Sequence, residues 1–139
     1  MKVQIRQVGS VKLRIRDNSI RLRLERGEVD VLRDSGMVAA KTGFPGGRAF
    51  GYVVESSPAS VNPGALLSDS TVTVRLPETA VKAWANSEQV SIVGEQRLAE
   101  GDTLSILVEK DFACLAPREG EDESDMFPHP QADSDEGQC

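Results

Sequence analysis

Five basic side chains recur at every second position of one short segment, where they alternate with apolar residues on both sides of a polar turn at Asp17–Ser19. These residues are Lys12, Arg14, Arg16, Arg21 and Arg23. Because a period of two is typical of a half-buried strand, we predict a hairpin that places all five on one sheet face. Guanidinium groups bind phosphates and carboxylates through paired N–H donors, so this face is a candidate anion-binding surface.

An acidic run near the C-terminus is the second candidate. It contains Glu119, Glu121, Asp122, Glu123 and Asp125. One interpretation is a solvated tail, and another is a segment that folds back over the basic face, in a contact that salt would weaken. A calcium or magnesium site is a third interpretation, but the run lacks the ligand spacing and the glycine of an EF-hand loop.

Two carboxylates suggest an enzymatic alternative. Glu95 and Glu109 fall in two late strands, and Arg75 falls in a third. If all three shared a face with the basic residues, the surface would suit a metal-dependent phosphoester or triphosphate hydrolase. The leading hypothesis remains a small, non-enzymatic binding or interaction module for an anionic ligand or its own acidic tail, and a structural subunit of a protein complex is a further alternative.

The cysteines and the single histidine do not favour a metal or catalytic site. Cys114 ends an apolar strand, which is typical of a small buried side chain. His129 lies between two prolines in the polar C-terminal region, and the cysteines and His129 lack the paired spacings of a zinc site. We therefore expect no metal and no cofactor, and we assign no catalytic residue.

The chain has 139 residues, with 16 Lys and Arg against 22 Asp and Glu, and a formal net charge of -6. The charges are unevenly distributed: residues 1–60 hold 11 basic and 6 acidic side chains, whereas residues 111–139 hold 1 and 9. An acidic total with 4% aromatic residues disfavours nucleic-acid binding. Without an apolar run long enough for a membrane span or a signal peptide, we expect a cytoplasmic protein with no membrane partner. The oligomeric state stays open.

The pattern of elements predicts an α+β fold, with a mainly antiparallel sheet of six or seven strands and two short helices. A curled or barrel-like sheet is left open, and no repeat of solenoid period is present. The predicted strands cover residues 11–16, 20–24, 37–42, 50–55, 71–76, 89–96 and 103–110. One helix is predicted over residues 26–34 with Gly36 as its cap, a second begins at Pro77, and residues 56–70 are predicted to be a loop.

The predicted domain organisation has three parts. Residues 1–10 are an N-terminal extension, residues 11–115 form one domain, and residues 116–139 form an acidic tail that we expect to be partly or wholly disordered.

Several segments resemble a family of small bacterial proteins of uncharacterised function. The first is Arg14–Leu24. The others are Gly94-Glu95-Gln96, the strand end Leu107-Val108-Glu109-Lys110-Asp111-Phe112-Ala113-Cys114-Leu115, and the acidic run Glu121-Asp122-Glu123-Ser124-Asp125 followed by Phe127-Pro128. The resemblance implies a cytoplasmic bacterial protein and supplies no activity. It also implies that the strand end and the acidic run are parts of one signature.

Overall fold

The computed structural model describes residues 11–112, which form eight strands and two helices. In chain order the elements are β1 (Lys12–Arg16), β2 (Ser19–Leu24), α1 (Arg26–Ser35), β3 (Met37–Phe44), β4 (Arg48–Ser57), β5 (Gly64–Ser68), β6 (Thr71–Pro77), α2 (Glu78–Ala85), β7 (Ser91–Arg97) and β8 (Thr103–Lys110). The predicted extension and the acidic tail lie outside the described residues. Within residues 11–112, no helix combines the length and the apolar character that crossing a bilayer requires.

The strands form two four-stranded sheets, and each sheet is built from two hairpins. The first sheet has the order β1-β2-β8-β7, and the second has the order β3-β4-β6-β5. Each hairpin is antiparallel, whereas the two central strands of each sheet, β2 with β8 and β4 with β6, are parallel. Helix α1 connects the first sheet to the second, and α2 connects the second back to the first. The central strands therefore come from hairpins that are distant in sequence.

The chain repeats one structural unit. The order β1-β2-α1-β3-β4 recurs as β5-β6-α2-β7-β8, and each sheet combines the first hairpin of one unit with the last hairpin of the other. The corresponding turns also match, because Asp17 and Asp69 both adopt positive φ, at 48° and 50°. The two sheets therefore offer an internal comparison, in which a residue of one sheet has an equivalent in the other.

The structure corrects the predicted sheet in three respects. There are eight strands rather than six or seven, they form two mixed sheets rather than one mainly antiparallel sheet, and neither sheet closes into a barrel. The missed strand is β5, which lies inside the predicted loop over residues 56–70. Its sequence, Gly-Ala-Leu-Leu-Ser, has no alternation. It is a strand because it pairs with β6 and because Gln96 accepts a hydrogen bond from the Ala65 N–H at 2.7 Å.

Both sheets turn one face to a single hydrophobic core. In β2 and in β6, every second residue is buried: Ile20, Leu22 and Leu24 in the first, and Val72, Val74 and Leu76 in the second. The helices add Leu32 and Trp84, which are fully buried. Because side chains alternate across a strand, the residues between the buried positions lie on the opposite face of each sheet.

Both helices begin close to the predicted positions, and α1 also ends close to its predicted end. Helix α1 starts with a capping box in which the Glu28 carboxylate accepts the Glu25 N–H at 2.8 Å. It ends at Gly36, whose φ of 89° is the left-handed conformation that glycine adopts readily. Pro77 precedes the first turn of α2 as its N-cap, with φ -62° and ψ 134°, rather than forming its first residue.

Pro63, just before β5, packs closely on Gly94 of β7, and we expect replacement of Gly94 by alanine to destabilise the fold. A Cβ atom at this position would lie 2.7 Å from both Cβ and Cγ of Pro63, whose ring cannot move aside. Overpacking of this kind costs about 1–3 kcal/mol. Urea unfolding should therefore show a lower midpoint for Gly94→Ala. Gly43→Ala is the control, because no atom lies within 4 Å of its added Cβ; an equal loss in both variants would contradict the packing argument.

Candidate functional site

The hairpin register brings the five predicted basic residues onto one face of the first sheet. Lys12 pairs with Arg23, Arg14 with Arg21, and Arg16 with Ser19. The alternate residues of β2 are buried in the core, so these side chains lie on the face opposite the core. We call this surface, made by Lys12, Arg14, Arg16, Arg21 and Arg23, the basic face.

Glu109 lies at the border of the basic face, beside its Arg23 end, and connects two of its arginines. Strand β8 is parallel to β2 and places Glu109 directly beside Arg23. The Nε atoms of Arg21 and Arg23 donate hydrogen bonds to the same oxygen, Oε2 of Glu109, at 2.8 and 3.0 Å. Only 14% of the Glu109 side chain is exposed, so the contacts are partly shielded from water. The carboxylate therefore fixes the position of both guanidinium groups.

The same contacts shift the ionisation of Glu109. Burial acts to raise the pKa of its carboxyl, but the hydrogen bonds from Arg23 and Arg21 and the charges of these arginines outweigh it and hold the pKa below the ordinary 4.5. The ionised carboxylate thus stabilises the folded state at neutral pH.

A pH dependence of stability follows from this shift. Because the folded pKa is depressed, the contribution of Glu109 is complete above about pH 4.5, the unfolded value, and is lost as the pH falls through the lower folded value. We expect the stability difference between the wild type and Glu109→Gln, measured by urea unfolding, to shrink as the pH falls from 7 to about 3. A difference that stays constant over this range would contradict the assignment.

A second carboxylate, Asp111, lies at one end of the basic face. Its side chain is 3.0 Å from Nζ of Lys12 and 3.8 Å from Nη1 of Arg23. Asp111 follows β8 directly and donates its backbone N–H to the carbonyl of Leu24 at 2.9 Å, which holds it beside the start of α1. Burial raises the pKa of the nearby Glu28 carboxyl, although the backbone hydrogen bond from Glu25 opposes this, and the charge of Asp111 adds to the rise.

The other end of the basic face has no counter-charge among the described residues. Within residues 11–112, no carboxylate forms an ion pair with Arg14 or Arg16, and both side chains are exposed. Arg14 lies directly opposite Arg21 in the hairpin. Like charges that face each other across two strands repel, so this arrangement costs the fold some stability. The unpaired end is the part of the surface most suited to an external anion.

The second sheet provides the internal comparison. Arg75 and Glu55 occupy the positions equivalent to Arg23 and Glu109, and they form the same type of ion pair. The positions equivalent to the other four basic residues hold uncharged side chains: Gly64, Leu66, Ser68 and Thr73. The arginine–glutamate pair is therefore common to both sheets, whereas the remaining positive charges are specific to the first.

The predicted grouping of Glu95, Glu109 and Arg75 does not occur. Arg75 lies in the second sheet, where it forms an ion pair with Glu55. Glu95 pairs with Ser105, four residues before Glu109, so the Cα atoms of the two glutamates are roughly 14 Å apart by strand geometry. That separation is too large for both carboxylates to hold one metal ion. Among residues 11–112, no group of three or more His, Cys, Asp or Glu side chains is arranged to hold a metal.

The predicted signature at the end of β8 is divided between two faces of the sheet. Glu109 and Asp111 lie on the basic face. Lys110 points the other way, with Nζ 5.8 Å from the centre of the Trp84 ring and 2.9 Å from the carbonyl oxygen of Ser87. Phe112 is the last described residue and is 61% exposed. The remaining signature residues, Cys114, Glu121, Asp122, Glu123 and Asp125, lie outside the described residues.

A comparison with known protein families finds a match to the model named Family of unknown function (DUF7009), which covers residues 11–131. The chain belongs to this family. The match contains the whole described fold, including the basic face, and extends through the acidic run. No curated protein and no solved structure matches the chain.

Sequence reasoning identified the basic side chains of this family member and raised Glu109 as a residue of the same face, but it did not predict the contacts that Glu109 and Asp111 make there. The pairing of β2 with β8 was not predictable, so neither the shared contact of Glu109 nor the position of Asp111 was expected. One signal in the sequence could have indicated this pairing. The alternating strand Ile20-Arg21-Leu22-Arg23-Leu24, which precedes the first helix, recurs before the second helix as Val72-Thr73-Val74-Arg75-Leu76. That repeat would have indicated two equivalent central strands.

Proposed function

We propose that the protein is a small, non-enzymatic binding module whose basic face takes up a polyanionic ligand. The observation that carries the proposal is the pair formed by Arg14 and Arg21, which lie opposite each other with Arg16 beside them. Among residues 11–112, Glu109 pairs with Arg21, whereas no carboxylate pairs with Arg14 or Arg16. The arrangement opposes folding and is absent from the equivalent positions of the second sheet. Side chains that conflict with local stability are typical of functional surfaces.

The chemistry of the face favours a ligand with several negative charges. Arg21 contacts Glu109 through Nε and Nη2, and Arg23 contacts Glu109 through Nε and lies 3.8 Å from Asp111 through Nη1. Each guanidinium carries five N–H donors, which is more than these contacts use. Guanidinium donors match the oxygen geometry of phosphate and carboxylate groups. Adjacent strands place Arg14 and Arg21 about 5 Å apart at their backbones, so one ligand with neighbouring phosphate groups would reach both. A cytoplasmic setting and a role without nucleic acid or membrane are part of the same proposal.

Isothermal titration of the full chain with sodium tripolyphosphate tests the proposal. We expect saturable binding at about 20 mM NaCl that weakens markedly at about 200 mM, because the contacts are partly exposed charges. Binding that is absent, or that does not respond to salt, would contradict it. Release of orthophosphate in the presence of magnesium or manganese would instead indicate a hydrolase and contradict a binding-only role.

A further inference from the structure

The basic face continues directly into an apolar strip on the same side of the sheet. The strand registers place Arg14, Arg21, Leu107 and Val93 abreast, one on each of β1, β2, β8 and β7. Leu107 is half-buried, and Val93 is 67% exposed. This row spans about 14 Å, because neighbouring strands lie about 4.8 Å apart. The row is basic on two strands and apolar on the next two, where Leu107 and Val93 form what we call the apolar strip. Glu109 and Glu95 are the next residues of the same face on these two strands. The row itself fits a ligand that is anionic at one end and apolar at the other.

The C-terminal segment of this chain has the matching composition. Residues 121–127 read Glu-Asp-Glu-Ser-Asp-Met-Phe, so four carboxylates are followed at once by two large apolar side chains. The charges are complementary to the basic face, and Met126 and Phe127 are complementary to the apolar strip. The match to the family also extends over this segment, since it continues to residue 131.

The chain leaves the described structure on the basic face itself. Asp111 contacts Lys12 and Arg23 there, and Phe112 is the last described residue. From Asp111, Leu107 is four residues back along β8, or about 13 Å away. Phe127 lies 16 residues beyond Asp111, and a flexible chain of that length has a typical span of roughly 22 Å. The segment is therefore long enough to reach the whole row without strain.

We propose that residues 121–127 dock in cis on the basic face and the apolar strip, with the carboxylates on Arg14 and Arg21 and with Met126 and Phe127 on Leu107 and Val93. The inference rests on the proposed function, because both use the same cations. It adds the partner: an acidic segment that ends in apolar residues, carried by the protein itself. An external polyanion then competes with this segment for the arginines.

Methyl NMR of the full chain tests the docking without any added ligand. We expect Phe127→Ala to shift the methyl resonances of Leu107 and Val93, because an aromatic ring close to a methyl group shifts its resonance strongly. Leu66→Ala is the control for a general effect of losing an apolar side chain. Leu66 is the residue of the second sheet that is equivalent to Arg14, and its replacement should leave the methyl resonances of Leu107 and Val93 unchanged. Unshifted methyls in Phe127→Ala would overturn the inference, as would shifts that depend on protein concentration, because these would place the segment on a second copy.

Tripolyphosphate titration of two charge-matched variants separates this inference from the proposed function. The first variant, E121Q/D122N/E123Q, removes three charges from the docking segment, and the second, D133N/D135N/E136Q, removes three charges beyond it. We expect the first to bind roughly tenfold more tightly than the wild type and the second to change less than about threefold. Equal, tight binding by all three proteins would overturn the docking and uphold the binding face. No binding by any of them would overturn the binding face, leaving the methyl shifts to decide the docking.

Discussion

Replacing Arg14 and Arg21 together with alanine is expected to weaken tripolyphosphate binding roughly 30-fold at low salt. Each arginine supplies charge-assisted hydrogen bonds worth about 1 kcal/mol or more, and a loss of about 2 kcal/mol corresponds to this factor. The same double variant should be less stable than the wild type but more stable than Glu109→Gln, because it loses the contact of Arg21 with Glu109 while it removes the repulsion between Arg14 and Arg21. Titration calorimetry and urea unfolding measure the two effects.

The matched control is Lys41→Ala combined with Arg48→Ala. Both residues are exposed on the second sheet, so this variant has the same net charge as the first without altering the basic face. We expect its affinity to fall less than about threefold, as befits a weak, long-range effect of net charge. Similar losses in the two double variants would mean that the ligand responds to total charge rather than to the basic face.

Glu109→Gln is expected to change stability and binding in opposite directions. Loss of the carboxylate leaves Arg21 and Arg23 without the negative charge that both contact, because the amide oxygen of glutamine is a neutral acceptor, so we expect stability at neutral pH to fall by about 1–3 kcal/mol. Binding of tripolyphosphate should become roughly tenfold tighter, because an internal competitor for the guanidinium groups has been removed. The ligand should therefore restore part of the lost stability, which thermal unfolding with and without tripolyphosphate measures.

Glu55→Gln in the second sheet is the control for this variant. Its partner Arg75 has a side chain that is 46% exposed, and surface ion pairs contribute less than about 1 kcal/mol. We expect a small loss of stability and no change in affinity. If Glu109→Gln destabilised the protein without tightening binding, Glu109 would have a structural role alone.

The local pattern of the sequence was sufficient to predict the hairpin that carries the basic face. Alternation of Leu13 and Ile15 with basic residues, a turn at Asp17, and alternation again at Leu22 determine both strands and their faces, because each signal acts within a few residues. The same holds for α1, whose end at Gly36 follows from the conformational freedom of glycine.

The pairing of strands that are distant in sequence could not be predicted from the local sequence pattern. Nothing near β2 indicates that its neighbour is β8, about 85 residues later, because parallel pairing is decided by the route of the helices across the core. For the same reason Glu95 and Glu109 were grouped by hypothesis although strand geometry separates them. Strand β5 shows a further limit: its five residues carry no period, and only pairing with β6 and the contact from Gln96 hold them extended.

The basic residues of the candidate site were predictable from the sequence, but the carboxylates that pair with some of them were not. The cations of β1 and β2 follow from sequence alone, whereas Glu109 and Asp111 join them only through the parallel pairing and the turn after β8. This balance of charge divides the face, among residues 11–112, into an end at Lys12 and Arg23 that pairs with carboxylates and an end at Arg14 and Arg16 that does not. The proposed ligand belongs to the second end.

The most direct test of the anion-binding face is an amide NMR titration of the full chain with tripolyphosphate at low salt. The account predicts saturable shifts concentrated in β1 and β2, largest around Arg14 and Arg21, with smaller shifts at Leu107 and little change in β3 to β6. Shifts centred on the second sheet, or spread evenly over exposed lysines and arginines, would contradict it.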